Sequence, residues 1–148
     1  MIDGKWLVPG SDLSIVLEIR KTVFGVAADP LDSESWNVIA RMDEVPVAAG
    51  RIRWFEDAFW LDHIGVLPEW RGKRMGDLIL RLLLFKAQTH AARKVCLVCD
   101  PDISGFFTRL GFREESRNGN ALLLSINGED IDLDTCKGCL KKDCPNRK

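Results

Sequence analysis

The sequence of 148 residues has no tyrosine, only two histidines and a formal net charge of −1. The lack of tyrosine removes the phenol as a proton donor anywhere in the chain. A net charge this close to zero gives no global field that would attract nucleic acid or an anionic membrane surface. No apolar run approaches the ~18 residues that a membrane-spanning helix needs. These absences predict a globular protein that binds neither nucleic acid nor a membrane.

The amino-terminal residues 1–6 carry an acid at Asp3 and do not have the basic-then-apolar order of a secretory signal. We therefore expect a cytoplasmic protein. The length suits a single domain, which can bury roughly 70% of the surface that its unfolded chain exposes and so needs no disulfide staples. The sequence leaves the oligomeric state open, a homodimer included.

Cysteines are concentrated at the carboxyl end, where Cys136, Cys139 and Cys144 follow one another within a short basic tail. In a cytoplasmic chain with an odd cysteine count, metal or redox chemistry is favoured over a disulfide framework. Three thiolates at this spacing predict a metal site for zinc or for an iron–sulfur cluster, with incidental thiols as the alternative. The residues available as a fourth ligand are Cys96, Cys99, His63 and His90.

Apolar periodicity and turn residues predict an α+β fold with a mixed sheet. The predicted strands are residues 5–8, 36–42, 46–54, 58–66, 95–99, 112–115 and 120–126. The predicted helices are residues 12–24, residues 76–91 and a short helix that ends near residue 110. Because strand 95–99 follows the long helix closely, we expect it to lie parallel to strand 58–66 through a right-handed crossover.

The segment between strand 58–66 and the long helix reads Pro-Glu-Trp-Arg-Gly-Lys-Arg-Met-Gly over residues 68–76. Successive backbone N–H groups at a helix amino terminus bind phosphate, and glycine lets the backbone approach such a ligand. Three cations, Arg71, Lys73 and Arg74, lie in the same turn. The context predicts a pyrophosphate-binding turn, and the alternative is a solvated basic loop.

Residues 66–76 resemble the signature of the GNAT superfamily, the acyl-CoA-dependent N-acyltransferases, whose pattern is Arg/Gln-x-x-Gly/Ala-x-Gly/Ala. Arg71 and Gly76 match its first and last positions, whereas Arg74 stands where the middle glycine is usual. Residues 106–112, Phe-Phe-Thr-Arg-Leu-Gly-Phe, are similar to the family's Phe-Tyr-x-x-Leu-Gly-Phe. The order of elements over residues 5–126 agrees with the family as well.

The resemblance implies a GNAT domain over residues 1–126, with a mixed, mostly antiparallel sheet flanked by helices and splayed central parallel strands. An acidic linker and the cysteine-rich tail then occupy residues 127–148. The resemblance also implies acetyl-CoA as co-substrate, held along the splayed strands and by the turn. The cofactor-binding residues that it implies are Ile64, Val66, Arg71, Gly72, Lys73, Arg74, Met75, Gly76, Asp100 and Phe107.

Two further positions depart from the family. Asp100 stands where many members carry an asparagine, and we expect it to cap the following helix rather than to contact the cofactor arm. Phe107 replaces a tyrosine that often serves as the acid for the departing thiolate. A thiol pKa of about 8.5 lets the thiolate leave near neutral pH without that acid, although more slowly.

Asp62 and His63 are the candidate catalytic bases on strand 58–66, and strict alternation would point them to opposite faces. The predicted activity is transfer of an acetyl (acyl) group from acetyl-CoA to an amine acceptor. The alternative is a non-catalytic acyl-CoA-binding module with a metal- or redox-sensing cysteine tail. The loop at residues 25–30 is apolar and poor in acids, so it does not predict a polyamine site.

Overall fold

The computed structural model describes residues 1–133, which form one seven-stranded sheet with helices on both faces. The strands are β1 (Ile2–Leu7), β2 (Trp36–Met42), β3 (Val45–Phe55), β4 (Ala58–Val66), β5 (Lys94–Cys99), β6 (Arg113–Asn118) and β7 (Ala121–Asn127). The α-helices are α1 (Ser14–Phe24), α2 (Met75–Thr89) and α3 (Ser104–Thr108). Short 3₁₀ helices lie at Pro30–Glu34, Pro68–Trp70, Pro101–Ile103 and Gly128–Asp130.

The strand order across the sheet is β1-β2-β3-β4-β5-β7-β6. Every neighbouring pair is antiparallel except β4 and β5, which are parallel because α2 carries the chain back across the sheet between them. Their pairing runs from Phe59 and Val95 to Leu61 and Leu97. A cleft then opens between the two strands. The predicted α+β fold with a mostly antiparallel sheet and flanking helices is confirmed.

Two boundary differences from the sequence prediction lie at the amino-terminal end. β1 begins at Ile2, because it pairs with β2 along its whole length and this pairing outweighs the weak strand preference of its first residues. Helix α1 begins at Ser14 rather than at residue 12. The side chain of Asp12 accepts a hydrogen bond from the Ser14 N–H, so Asp12 stays outside the helix, whose N-cap residue is Leu13.

Helix α2 packs on one face of the sheet and forms the main core with it. Its buried residues are Met75, Ile79, Leu80, Leu83, Leu84 and Ala87. The approach is closest at Gly50, where a Cβ atom would lie 2.7 Å from Cγ2 of Ile79. Phe85 of the same helix is 55% exposed, because the sheet covers only one side of the helix. No helix within residues 1–133 is long and apolar enough to cross a bilayer.

Helix α1 packs on the opposite face, where Val16 and Ile19 contact Ile39 and Ala49 in a second, smaller core. Ala49 precedes Gly50, and successive strand residues point to opposite faces. The two helices therefore cover opposite sides of the same strands. Both faces are accessible through the cleft that separates β4 from β5.

Candidate functional site

The cleft between β4 and β5 has a volume of about 290 Å³. β4 contributes Asp62, His63 and Ile64 to it, and Asp100 and Phe107 reach it from the segment that follows β5. The parallel strands separate here, so strand edges that pair elsewhere in the sheet face open space. The cleft therefore combines backbone edges with titratable side chains, as a binding site for an extended ligand requires.

The two sequence motifs lie side by side at the carboxyl end of β4. A Cβ atom at Gly76 would be 3.5 Å from the Phe106 ring and 3.6 Å from Cγ2 of Val66. The turn at residues 68–76 thus adjoins both β4 and α3. Two segments that lie thirty residues apart in the chain form one wall next to the cleft.

The turn presents the amino terminus of α2. Gly72 has φ 79° and Arg74, which immediately precedes the helix, has φ 64°, so the backbone turns twice through the left-handed region. The Arg71 guanidinium donates to the Val66 carbonyl at 3.1 Å, and the Lys73 ammonium lies 4.9 Å from the centre of the Trp70 ring. The N–H groups of the first helical turn have no partner inside the helix and are available to an anion.

The residues of this turn differ in how far their side chains are exposed to solvent. Arg71, Gly72, Lys73 and Arg74 are exposed, whereas the Met75 side chain is buried in the core and only its backbone can serve a ligand. The arrangement fits a pyrophosphate, because exposed cations surround a helix amino terminus.

The left-handed backbone at Arg74 explains why the motif usually has glycine there, since a side chain in this conformation costs roughly 1–2 kcal/mol. We expect Arg74→Gly to raise the free energy of unfolding by about 1 kcal/mol. Urea-induced unfolding measures the change.

Lys73→Gly is the matched control, because Lys73 neighbours Arg74 and its φ is not positive. There, glycine adds only unfolded-state entropy and should lower the free energy of unfolding by about 0.5–1 kcal/mol. If both variants were destabilised equally, backbone strain at Arg74 would not be the cause.

A β-bulge in β4 determines where the candidate bases point. Arg51 of β3 lies opposite Asp62, but Ala49 lies opposite Gly65, so His63 and Ile64 together oppose Gly50. His63 has φ 50°, in the left-handed region. The extra residue interrupts the alternation of side chains.

The prediction that Asp62 and His63 point to opposite faces is therefore wrong. Asp62 bonds to Arg51, which also bonds to Asp29, and the His63 Nε2 atom lies 3.7 Å from a carboxylate oxygen of Asp29. The His63 ring is also 5.9 Å from the ring of Phe24, on α1. Both candidate bases thus lie on the α1 face of the cleft.

Two buried arginines and three aspartates form a network beneath these bases. The Arg51 guanidinium donates to both oxygens of Asp62 at 2.7 Å and to Asp29 at 2.7 Å. Arg20 of α1 donates to both oxygens of Asp32 at 2.8 and 3.0 Å, and Arg51 reaches the same carboxylate at 3.2 Å. The network joins α1, the Pro30–Glu34 helix, β3 and β4.

The charges of this network are unevenly exposed. The Arg20 and Arg51 side chains are only 1% and 2% exposed, whereas those of Asp29 and Asp62 are 35% and 36% exposed. Two cations and three carboxylates leave one net negative charge. Since the cations are buried and two of the carboxylates are partly open, the cleft presents negative charge on its α1 face.

Burial and hydrogen bonding set the protonation states. Burial alone would raise the pKa of Asp32, but hydrogen bonds from Arg20 and from the Asp29 backbone outweigh it and lower that pKa to about 2. Burial alone would lower the pKa of Arg51, but its bonds to Asp62 and Asp29 raise that pKa above its usual value. Asp32 and Arg51 are therefore both charged at neutral pH.

For His63, unlike for Asp32 and Arg51, burial determines the direction of the pKa shift. Burial lowers the pKa of His63 below its ordinary 6.5, and Arg51 and Arg20 act in the same direction, while Asp62 and Asp29 only partly oppose them. The imidazole is consequently neutral at pH 7 and can accept a proton.

Asp100 does not have the capping role that the sequence favoured. It occupies the N-cap position of the Pro101–Ile103 helix, but within residues 1–133 its side chain makes no capping hydrogen bond. The side chain is exposed and lines the cleft instead. Phe107 also lines the cleft and is 95% buried, packed against Phe106 and Phe112.

The predicted metal site falls on Cys136, Cys139 and Cys144, which lie outside the described residues. Of the proposed fourth ligands, Cys96 and Cys99 are both buried, and Cys99 belongs to the core on the α2 face. Among residues 1–133, no group of three His, Cys, Asp or Glu side chains is arranged to hold a metal ion. Zinc or an iron–sulfur cluster thus draws no support from the described part of the chain.

Sequence reasoning missed Arg20, Asp29, Asp32 and Arg51. One available signal was the order Asp29-Pro30-x-Asp32, in which Asp29 caps a 3₁₀ helix and Asp32 reaches back to the Asp29 N–H in a capping box. A second signal was periodicity, because Arg20 lies one helical turn after Val16 on the buried side of α1. An arginine on a buried face requires acidic partners.

Comparison with known proteins agrees with this geometry. A family model described as an acetyltransferase (GNAT) domain matches residues 33–114, from just before β2 to the start of β6. No curated protein sequence matches this chain.

Solved structures with the same fold include three acyltransferases. The Escherichia coli ribosomal-protein-S18-alanine N-acetyltransferase has a TM-score of 0.74 at 16% identity and covers 86% of this chain and 94% of its own. An acyl-CoA N-acyltransferase from Pseudomonas aeruginosa has a TM-score of 0.75 at 18% identity, with coverage of 84% and 99%. A GNAT family acetyltransferase from Elizabethkingia anophelis, with acetyl-CoA bound, has a TM-score of 0.69 at 11% identity, with coverage of 85% and 97%.

At these identities the structural likeness establishes the fold alone. The family model covers more than half of the chain and includes β4, the turn at residues 68–76 and β5. Together with the splayed parallel strands, this match shows that the chain belongs to the GNAT acetyltransferase family.

Proposed function

We propose that this protein transfers an acetyl group from acetyl-CoA to the nitrogen of an amine, with His63 as the general base. One observation carries the proposal: a neutral imidazole lies on β4 in the cleft between the splayed strands, next to a turn that fits a pyrophosphate. Acyl-CoA chemistry needs both elements, an anchor for the nucleotide end and a proton acceptor near the thioester.

Geometry favours His63 over Asp62 as the base. Both carboxylate oxygens of Asp62 accept hydrogen bonds from Arg51 at 2.7 Å, so the lone pairs of Asp62 are engaged. The His63 Nε2 atom is 3.7 Å from Asp29, which is longer than a hydrogen bond. His63 can therefore take a proton from the acceptor directly or through a water molecule, while Asp62 contributes negative charge.

The proposed reaction balances without a further reagent. The amine nitrogen attacks the thioester carbonyl carbon, a C–N bond forms, and the C–S bond breaks. An acceptor that arrives as an ammonium ion first releases a proton to solvent, and His63 takes the second proton, which the nitrogen loses as the C–N bond forms. The thiolate leaves with a conjugate-acid pKa of about 8.5 and is protonated from solvent, which agrees with a phenylalanine rather than a tyrosine at position 107.

The residues present fit the coenzyme at both ends. The exposed cations and helix amino terminus of residues 71–76 would hold the pyrophosphate. The backbone of Ile64 and Val66, where β4 has separated from β5, would bind the pantetheine amides. Polar contacts of this kind orient the thioester and exclude water from it.

An assay for free coenzyme A thiol tests the proposal. The protein is incubated with acetyl-CoA and a panel of primary amines, and thiol release is followed in parallel with acetyl-CoA binding by calorimetry. We expect amine-dependent release that exceeds the amine-free rate. Binding of acetyl-CoA without turnover of any amine would contradict the proposal and would favour a non-catalytic acyl-CoA-binding module.

A further inference from the structure

Three large apolar side chains stand exposed around the mouth of the cleft, and we call them the apolar lip. They are Phe24 at the end of α1, Val98 on β5 and Ile103 after β5, with 44%, 59% and 51% of their surfaces exposed. They come from three separate elements but border the same cavity. Each leaves apolar surface in water, which is unfavourable unless a ligand covers it.

The lip lies on the same face of the sheet as His63. Leu97 and Cys99 belong to the core on the α2 face, so Val98 between them points to the α1 face. Phe24 ends α1 itself, and its ring is 5.9 Å from the His63 ring. The turn that fits the pyrophosphate begins α2, on the other face. The lip is therefore placed to contact the acceptor rather than the nucleotide end of the coenzyme.

The negative charge on the α1 face of the cleft favours an acceptor that carries a cation. Asp29 and Asp62 are partly exposed and belong to a network with one net negative charge, and the exposed Asp100 lines the same cleft. These carboxylates attract an ammonium group and repel a carboxylate or phosphate on the acceptor. Because His63 is neutral at pH 7, it does not offset that charge.

The volume of the cleft limits the size of the acceptor. At about 290 Å³ it is at the small end of the ~300–1,000 Å³ typical of ligand sites, and the thioester end of the coenzyme must share it. We infer that the acceptor is a small primary amine with an apolar body, whose ammonium group meets the carboxylates while its body covers the apolar lip. This inference rests on the proposed acyl transfer and specifies its substrate class.

The test compares two primary amines of similar basicity, 2-phenylethylamine and ethanolamine, as acceptors of acetyl from acetyl-CoA. For the unmodified protein, kcat/KM should favour 2-phenylethylamine by about tenfold or more, since apolar contacts of one or two methylene equivalents discriminate to that extent. In Val98→Ser this preference should fall about threefold to tenfold. Val45→Ser, which changes a strand valine that is 48% exposed and does not line the cleft, should leave the preference unchanged.

Direct binding separates failure of the inference from failure of the proposed function. The affinity of 2-phenylethylamine and of ethanolamine for the protein saturated with coenzyme A is measured by calorimetry, which needs no turnover. Tighter binding of 2-phenylethylamine that weakens in Val98→Ser supports the inference even if no amine is acetylated, in which case the proposed function alone fails. If both assays show no preference for 2-phenylethylamine over ethanolamine, or the reverse preference, the inference is overturned. Acetylation of either amine would still uphold the proposed function.

A second copy of the chain is the other occupant that the lip could have. If sedimentation shows a dimer that Val98→Ser dissociates and Val45→Ser does not, and if the amine preference is absent, the lip is a subunit interface. That combination of results would overturn the inference.

Discussion

Replacing Arg51 with methionine should lower the free energy of unfolding by about 3–5 kcal/mol, the range expected when one partner of a buried ion pair is removed. The Arg51 side chain is 2% exposed and donates to three carboxylates, Asp62, Asp29 and Asp32. Methionine fills similar volume, so packing is nearly preserved. The loss arises because carboxylates on three different elements lose their shared cation. Urea-induced unfolding measures the effect.

Two further variants isolate the role of burial and of the guanidinium. Arg41 lies on β2, next to β3, and forms a bidentate ion pair with Asp3 of β1. The Arg41 and Asp3 side chains are 31% and 43% exposed, and Arg41→Met removes this exposed pair. That change should lower the free energy of unfolding far less than Arg51→Met, because solvent screens an exposed ion pair. Arg51→Lys keeps the charge but not the fork of donors and should fall between the two. Equal effects at positions 41 and 51 would refute a structural role for the buried network.

The second large effect is on catalysis. His63→Asn should lower kcat for acetyl transfer by about 10²–10⁴-fold, the contribution typical of a general base. Asparagine is chosen because it tolerates the left-handed conformation that His63 adopts with φ 50°. Affinity for acetyl-CoA should stay within about threefold of the unmodified protein. A variant that binds acetyl-CoA and retains full kcat would exclude His63 as the base.

The pH dependence gives His63 a signature that a purely structural role would lack. Activity requires the neutral imidazole, and burial lowers its pKa below 6.5, so kcat/KM expressed per neutral amine should decline only as the pH falls below 6.5. This acidic limb should be absent from the residual activity of His63→Asn. The control is His90→Asn at the end of α2, where the ring contacts Trp36 and Phe59 away from the cleft, and it should keep both the rate and the limb.

Much of the fold followed from local patterns. The predicted bounds of β2 and β4 agree with the structure at both ends, because alternation and flanking turn residues mark each strand within its own segment. The parallel pairing of β5 with β4 followed from the helix between them. The turn at residues 68–76, which we propose binds pyrophosphate, was recognisable for the same reason, since its glycine, its cations and the helix that it begins are contiguous in the chain.

The arrangement of residues on the α1 face of the cleft could not be predicted from local patterns in this way. Alternation placed Asp62 and His63 on opposite faces, but the bulge opposite Gly50 brings both to the α1 face. Asp100 looked like a helix cap, but its side chain lines the cleft. The loop at residues 25–30 looked apolar and poor in acids, yet its Asp29 bonds to Arg51 and lies beside His63. In each case the deciding contact comes from outside the local segment.

The sequence by itself determined the order of elements, the parallel pairing of β4 with β5 and the turn at residues 68–76, because each depends on periodicity or on backbone conformation over a few consecutive residues. Only the tertiary structure decided the chemistry of the acceptor side. The network of Arg20, Asp29, Asp32, Arg51 and Asp62 draws on four elements, and burial of its two arginines is what leaves negative charge and a neutral imidazole facing the cleft. Burial and charge pairing depend on which distant segments meet, and no single stretch of the chain contains that information.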